Sequence, residues 1–294
     1  MVGVPELPDV TVYVESLERR IAGVRLDGVR LASPFVLRSV DPPLDACRGR
    51  TVVGVERIGK RIAIGLDDDL FLVVHLRIAG RLRWRTTGAK IPGRFGLAAF
   101  DFSSGTLLLT EAGTHKRASL HAVRGRGGVR AHDPGGIDPL GCTVTELASV
   151  LRREPHTIKR ALTDPRLVSG IGNAYSDEIL HRARMSPFQR TDRLDDAAVA
   201  RLHAATRAVL VEWTDRLRRE VGDGFPEKVT PFRDGMAVHG RFRQGCPVCG
   251  TAVQRIVRAE NESNYCPTCQ TGGRLLADRA LSRLLGNDWP RTLE

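Results

Sequence analysis

Four cysteines near the C-terminal end leave the chain the fewest options. Residues 246–269 read CPVCGTAVQRIVRAENESNYCPTC, two CxxC pairs with sixteen residues between them. Each pair turns tightly enough to offer two thiolates to one tetrahedral ion, and the stretch between them is long enough to return as a hairpin. The spacing therefore predicts a zinc ribbon in which Cys246, Cys249, Cys266 and Cys269 hold one structural Zn2+. So short a segment cannot bury a core of its own, and the metal supplies its folding energy. Four thiolates also leave no open coordination position, which assigns the ion to structure and not to chemistry. Two redox pairs or disulfides are the competing reading, which a reducing cytosol disfavours. Cys47 and Cys142 have no partner motif and read as small packing residues.

At 294 residues, 41% of them hydrophobic, the chain can supply cores for two ordinary domains. No apolar run reaches the roughly 18 residues of a membrane span, since the best candidate is broken by Asp67, Asp68 and Asp69. Glu6 and Asp9 stand where a signal peptide needs a basic start, so the expectation is a cytoplasmic protein with no membrane contact. The formal charge is +11 and arginines far outnumber lysines, which favours a polyanionic partner gripped through bidentate guanidinium contacts.

Val10, Val14, Leu17 and Ile21 share one helical face, so a helix runs out of the opening residues. Between residues 24 and 123, segments such as TVVGVERIG, LFLVVHL and GTLLLTE alternate with Gly and Asp turns and predict an antiparallel β barrel or sandwich. RGRGGVRAHDPGGIDPLG, residues 124–141, is too rich in Gly and Pro for helix or strand to persist. Beyond it, Thr143 and Glu146 have capping-box spacing. A long helix is expected over residues 195–221, burying Val199, Leu202, Val209, Trp213 and Leu217. The organisation is thus an α+β multidomain chain: residues 1–130 a leading helix and antiparallel β-sandwich, 131–142 a linker, 143–238 a helical domain, 239–273 the zinc finger and 274–294 a tail. In that tail, Leu281, Leu284 and Leu285 among arginines predict an amphipathic helix docked on the body.

LVSGIGNAYSDEILHRARMSP, residues 167–187, sets two glycines and an asparagine between a short helix and a longer one. Backbone N–H groups freed by Gly170 and Gly172 at a helix start can cradle a phosphate oxygen, with the Asn173 side chain adding a donor; a glycine turn between helices can equally be only a turn. In combination the parts say more. A PELPDV head, a β domain, this helical stretch and a four-cysteine finger, in that order, resemble the formamidopyrimidine-DNA glycosylase and endonuclease VIII family over nearly the whole chain.

The resemblance implies a helix–two-turn–helix DNA-binding domain, and a monomer that excises a damaged base from double-stranded DNA and then nicks the strand through a Schiff base. DNA is expected in a basic cleft between the domains. Pro5 matches the family's attacking amine and Glu6 its acid–base carboxylate. Lys60, in ERIGKRIAIGL, matches a lysine near the lesion phosphate, and Lys159 and Asn173 match contacts to the DNA backbone. Ile78, in HLRIAGRL, falls where relatives push a side chain into the gap left by the everted nucleotide; its ordinary alternative is strand packing.

The chain departs from the family pattern in four places. MVGV stands before Pro5, and an amide-bonded proline nitrogen has no lone pair to attack with. The favoured resolution is that Val4 is a misread start codon; Lys60 is the substitute nucleophile if the head persists, and the alternative function is a binder of damaged or branched DNA that is non-catalytic or a glycosylase without lyase activity. Asn261 replaces the family's finger arginine, with Arg255 and Arg258 in the same hairpin as substitutes. AGTHKRA replaces the arginine–phenylalanine pair that probes the opposite strand. GDGFPEKVTPFRDGMAVHG does not look like the long polar lid of the oxidised-purine branch.

Overall fold

The structure, a computed structural model, describes residues 4–113, 115–227, 229, 233–258, 261–277, 284 and 292. It divides into two compact units: Met1–Pro134 with Trp213–Pro231, and Gly135–Glu212 with Phe232–Glu294.

The first unit begins with α1 (Leu7–Ile21), which carries Pro8 in its first turn, where a missing N–H costs nothing. Leu7, Val10, Tyr13, Leu17 and Ile21 are buried, the stripe expected of an amphipathic helix. Eight strands follow: β1 (Leu26–Leu31), β2 (Val52–Ile58), β3 (Arg61–Leu66), β4 (Leu70–His75), β5 (Gly80–Arg85), β6 (Gly96–Phe102), β7 (Gly105–Glu111) and β8 (Ser119–Arg124). They form two antiparallel sheets, in the orders β1-β6-β7-β5 and β2-β3-β4-β8. Between the sheets and α1 lies one core that includes Ile62, Ile64, Leu72, Val74, Phe100 and Leu109. The opposite faces of β3 and β4 carry Ala63, Phe71 and Val73 into a second, smaller core with Val129. Strands buried on both faces explain the unbroken apolar run LFLVV.

Val129 belongs to α2 (Gly125–Arg130), so the expectation that no helix persists in residues 124–141 is overturned. Its glycines are poor helix formers, but packing outweighs propensity. A Cβ on Gly128 would stand 3.1 Å from the Val123 side chain, and the Arg126 guanidinium lies 5.2 Å from the Phe71 ring centre. The glycines let the helix come close to the sheet.

The second unit contains α3 (Val144–Arg153), α4 (Ile158–Thr163), α5 (Asn173–Arg182) and the first part of α6 (Asp196–Val221). Thr143 and Glu146 do close a capping box at the start of α3. All five residues expected on the inner face of α6 are buried. The ribbon follows as β9 (Gln254–Arg258), β10 (Asn261–Tyr265) and α7 (Pro267–Thr271). Of the expected tail helix, Leu281 and Leu285 lie outside the described residues, and Leu284 is exposed.

The chain that leaves α6 is fastened to the first unit. Arg20 Nη2 donates to the Asp223 carbonyl at 2.8 Å, and the Phe225 ring packs against Tyr13 and Trp84 at centroid distances of 5.7 and 6.4 Å. Glu227 accepts from Arg85 at 2.7 Å and from Arg83 at 3.3 Å, while Arg81 Nε donates to the Val229 carbonyl at 2.8 Å. A segment that reads as a loop in sequence is a strap held by four arginines.

The turn from β4 to β5 closes through Gly80, whose N–H donates to the Leu76 carbonyl at 2.9 Å. A Cβ there would stand 2.2 Å from that same oxygen. Gly80→Ala should therefore force the turn open at a cost of about 1–3 kcal/mol. Urea unfolding should show a lower midpoint with an unchanged slope, and an unchanged midpoint would contradict the packing described.

Candidate nucleic-acid interface and metal centre

Pro5 and Glu6 sit at the very start of α1, both buried. Glu6 is its N-cap: its N–H donates to Asp9 Oδ2 at 2.9 Å, one half of a reciprocal capping box. Glu6 is only 3% exposed, so its carboxylate is set by the fold and not by solvent. The Asp9 partnership was legible from spacing alone, three residues apart before an apolar run, yet sequence reading took Asp9 only as an acidic residue.

Lys60 lies at the two-residue tip joining β2 and β3, after Gly59 at φ +58°. Ile78 occupies the β4–β5 turn and is half-buried, so it is not a residue of strand packing. Arg81 braces that turn from within, donating through Nη1 to the carbonyls of Ile78 at 3.2 Å and Gly80 at 2.7 Å. Positive groups stand nearby, with Asp133 the acidic group that acts on Arg61. Burial, then Arg77, Arg61 and Lys60, hold His75 down to about 3, and burial with His132 holds His121 to about 4. The His121 and His132 rings are 4.4 Å apart, and His75 Nδ1 is buried without a hydrogen-bond partner.

In the AGTHKRA segment, Lys116 is exposed and folds back towards the end of β7. Its ammonium donates to the Glu111 carbonyl and lies 5.7 Å from the Phe95 ring centre. The Glu111 carboxylate accepts from the N–H groups of Arg117 at 2.8 Å and Ala118 at 3.1 Å, which fixes the end of the loop.

In the second unit, Gly170 adopts φ +79° and Gly172 is the N-cap of α5, so Asn173 is the first residue of that helix. Lys159, expected to meet the DNA backbone, is placed beneath this loop. It is 9% exposed, and Nζ donates to the Asn173 carbonyl at 2.7 Å and to Asp177 Oδ1 at 2.5 Å. Asp177 Oδ2 also meets His239 Nδ1 at 2.8 Å and accepts from the Asn264 N–H at 3.1 Å. Burial alone would raise the Asp177 carboxyl, but Lys159 and His239 hold it below its ordinary range. Next to it, Glu178 accepts from the N–H groups of Ala237, Val238 and His239 at 2.7, 2.9 and 2.9 Å; burial still pushes its carboxyl upward. Sequence reading missed this network. Its signal was an acidic pair in the middle of a helix with little room for solvated carboxylates.

The four cysteine sulfurs lie within 4.8 Å of one another. Tetrahedral Zn–S bonds of about 2.3 Å place sulfurs roughly 3.8 Å apart, so the four fit one Zn2+. The Thr251 hydroxyl beside Cys249 pulls its thiol down to about 6, while burial pushes Cys266 up to about 11. A divalent cation at the centre holds all four as thiolates. His181 Nε2, from α5, stands 3.2 Å from Cys246 Sγ, the orienting contact expected around a ligand sulfur. Of the two hairpin arginines, Arg255 lies 4.6 Å from the Phe242 ring centre and 3.7 Å from Glu262, and Arg258 ends β9 with its side chain outside the described residues. The side chain of Asn261 is likewise outside them.

A capped Pro–Glu helix on a β-sandwich, a glycine-led helix start and a four-thiolate ribbon define a zinc-finger DNA-repair protein of the helix–two-turn–helix class. Residues 4–121 match the formamidopyrimidine-DNA glycosylase N-terminal domain, 136–216 the H2TH domain of the same enzymes and 244–272 the zinc finger found in FPG and IleRS. The chain belongs to the formamidopyrimidine-DNA glycosylase family. It is 33% identical over 276 residues to the formamidopyrimidine-DNA glycosylase of Heliobacterium modesticaldum, covering 90% of this chain and 99% of that one. An uncharacterized formamidopyrimidine-DNA glycosylase-like protein of Mycobacterium tuberculosis is 45% identical over 150 residues, 51% of this chain and 93% of that one. The Lactococcus lactis enzyme in complex with abasic-site DNA superimposes with a TM-score of 0.79 at 25% identity, covering 90% of this chain and 99% of the other.

Two outcomes follow. Native mass spectrometry should find one Zn2+ per chain, lost in Cys266→Ser, whose β9 and β10 amides should then exchange freely with solvent; protected ribbon amides without metal would refute the assignment. For His75 the ordinary pKa of about 6.5 applies in the unfolded chain, and the folded value is about 3. Between those values the unfolded state binds the extra proton, so stability falls as pH drops below about 6.5. His75→Gln should therefore lose less stability than wild type between pH 7 and pH 5 in urea titrations, whereas an equal loss would mean that the ring is not buried neutral.

Proposed function

We propose that this chain is a bifunctional DNA glycosylase that removes a damaged base from duplex DNA and cleaves the resulting abasic site. The observation that carries the reading is the Pro5–Glu6 pair at the head of α1, with Glu6 buried and tied to Asp9, in a chain of this family. Related Lactococcus lactis structures contain an abasic site and an oxidised pyrimidine, which fits a damaged-DNA substrate.

The chemistry follows from the residue types. A free Pro5 is a secondary amine at the positive end of a helix, a position that favours its neutral, attacking form. Its lone pair forms the bond to C1′ as the glycosidic bond breaks and the base leaves. Opening of the sugar then gives a cationic iminium, the electron sink that lets the 3′ and afterwards the 5′ phosphate depart. Glu6 exchanges the protons these steps require. Ile78, on its braced turn, fills the gap left by the everted nucleotide, and Lys60 meets the lesion phosphate. Lys159 works through Asn173, whose carbonyl it holds. Zinc supplies folding and takes no part in these steps.

Attack by Pro5 requires that Val4 no longer be bonded to it. N-terminal sequencing of active enzyme should give proline in the first cycle, and borohydride should trap a crosslink to abasic-site duplex that maps to Pro5. Glu6→Gln should keep DNA binding and lose base excision by at least about a hundredfold. A crosslink on Lys60 would move the nucleophile to that residue. No crosslink and no strand cleavage would leave a binder of damaged DNA.

A further inference from the structure

The outer face of β5 carries a basic cavity that the proposed excision chemistry does not use. Leu82 and Trp84 pack on the main core, so the alternate residues Arg81, Arg83 and Arg85 stand in a row on the other face. With Lys90, Phe95 and Leu108 they line a cavity of about 460 Å3, within the size range of small-ligand sites. Charge in it is unbalanced. Glu227 is shared by Arg83 and Arg85, and Lys90 makes no hydrogen bond or ion pair among the described residues. The Glu227 carboxylate also shows that this row accepts an oxyanion. Phe95 stands at the rim, 44% exposed, yet its backbone is fixed. Its carbonyl accepts from the Glu111 N–H at 2.8 Å, and the Gly96 N–H next to it donates to the Pro92 carbonyl at 2.6 Å. The Arg94 guanidinium and the Lys116 ammonium lie 5.6 and 5.7 Å from the ring centre. An aromatic ring held in water on a fixed backbone, among cations, suits a partner that is both flat and anionic.

We propose that this groove is a second nucleic-acid site, one that takes an unpaired DNA strand with a base stacked on Phe95 and phosphates running along β5. Residues two apart on a strand are spaced about 6.7 Å, and successive phosphates of an extended single strand keep nearly the same repeat. A cationic groove with an exposed ring binds such a strand without regard to sequence, because every base has a π face. Duplex DNA fits the groove less well. Its bases are stacked on one another and do not reach the ring, and a backbone contact alone needs charge but no exposed phenylalanine. Ala79 and Ala112 also line the cavity, which places it beside Ile78 and the AGTHKRA segment. The inference stands apart from the glycosylase reading, since it needs neither a free Pro5 nor a wedge at Ile78.

The test titrates full-length protein with a short fluorescein-labelled oligothymidylate, which cannot pair with itself, and separately with a fully paired duplex carrying a tetrahydrofuran abasic analogue. Wild type should bind both, and saturating duplex should leave the oligothymidylate bound. Phe95→Ala should weaken oligothymidylate binding about tenfold or more, the loss of one stacked base, while Tm and duplex affinity stay unchanged. Lys90→Ala should weaken it with a shallower salt dependence. Ala89→Trp, which fills the cavity and removes neither ring nor charge, should weaken it as well; if that protein folds poorly, Phe95→Ala decides. A wild type that does not bind the oligothymidylate overturns the proposal, and so does a Phe95→Ala protein with full oligothymidylate affinity. Displacement by the duplex overturns it too, because the strand then lies in the main interface. So does a Phe95→Ala or Lys90→Ala protein that loses as much affinity for duplex as for oligothymidylate, because the groove is then part of the duplex interface.

Discussion

Asp177 is the constraint on which the second unit depends. A carboxylate almost wholly removed from water must be paired and hydrogen-bonded, and this one is satisfied by Lys159, His239 and Asn264 at once. Those three partners come from α4, from the chain leading into the ribbon, and from β10. Removing any one leaves a buried charge short of a partner, a loss of about 3–5 kcal/mol when an ion pair is broken this way. The glycine-led start of α5 and the zinc ribbon are therefore not independent modules. Lys159 holds the Asn173 carbonyl from one side of Asp177 and the ribbon hairpin is held from the other, while Glu178 and His181 fasten the same helix to the segment before the ribbon and to a zinc ligand.

In the first unit Arg81 has the corresponding place. It is a strand residue whose guanidinium faces away from the main core and joins three carbonyls, those of Ile78, Gly80 and Val229. Two of them belong to the β4–β5 turn and the third to the strap after α6. One side chain thus sets the geometry of the β4–β5 turn and the path of the strap. Lysine could not replace it, because a single ammonium lacks the planar fork that reaches carbonyls in different directions.

Much of this was legible in the sequence where a short-range rule applied. Cysteine spacing located the metal centre, and apolar spacing located α1 and the buried face of α6. Two further features were hidden because their causes act over long sequence separations. GRGGVR reads as loop by propensity, and becomes α2 only because Val129 has a second core to enter and the glycines allow close approach to β8. Lys159 reads from the family resemblance as a contact to the DNA backbone; only its partner Asp177, eighteen residues on, takes it inside. The strap was visible as a departure from the family's lid, but nothing local in GDGFPE announces that Arg20, Arg83 and Arg85 will receive it.

That strap is fixed by packing and ion pairs within the first unit. In a mobile loop, the entropy of ordering is lost when ligand binds, and binding energy must offset it. Here Phe225 is already packed on Tyr13 and Trp84, and Glu227 is already paired with two arginines. The ordering cost has been met during folding.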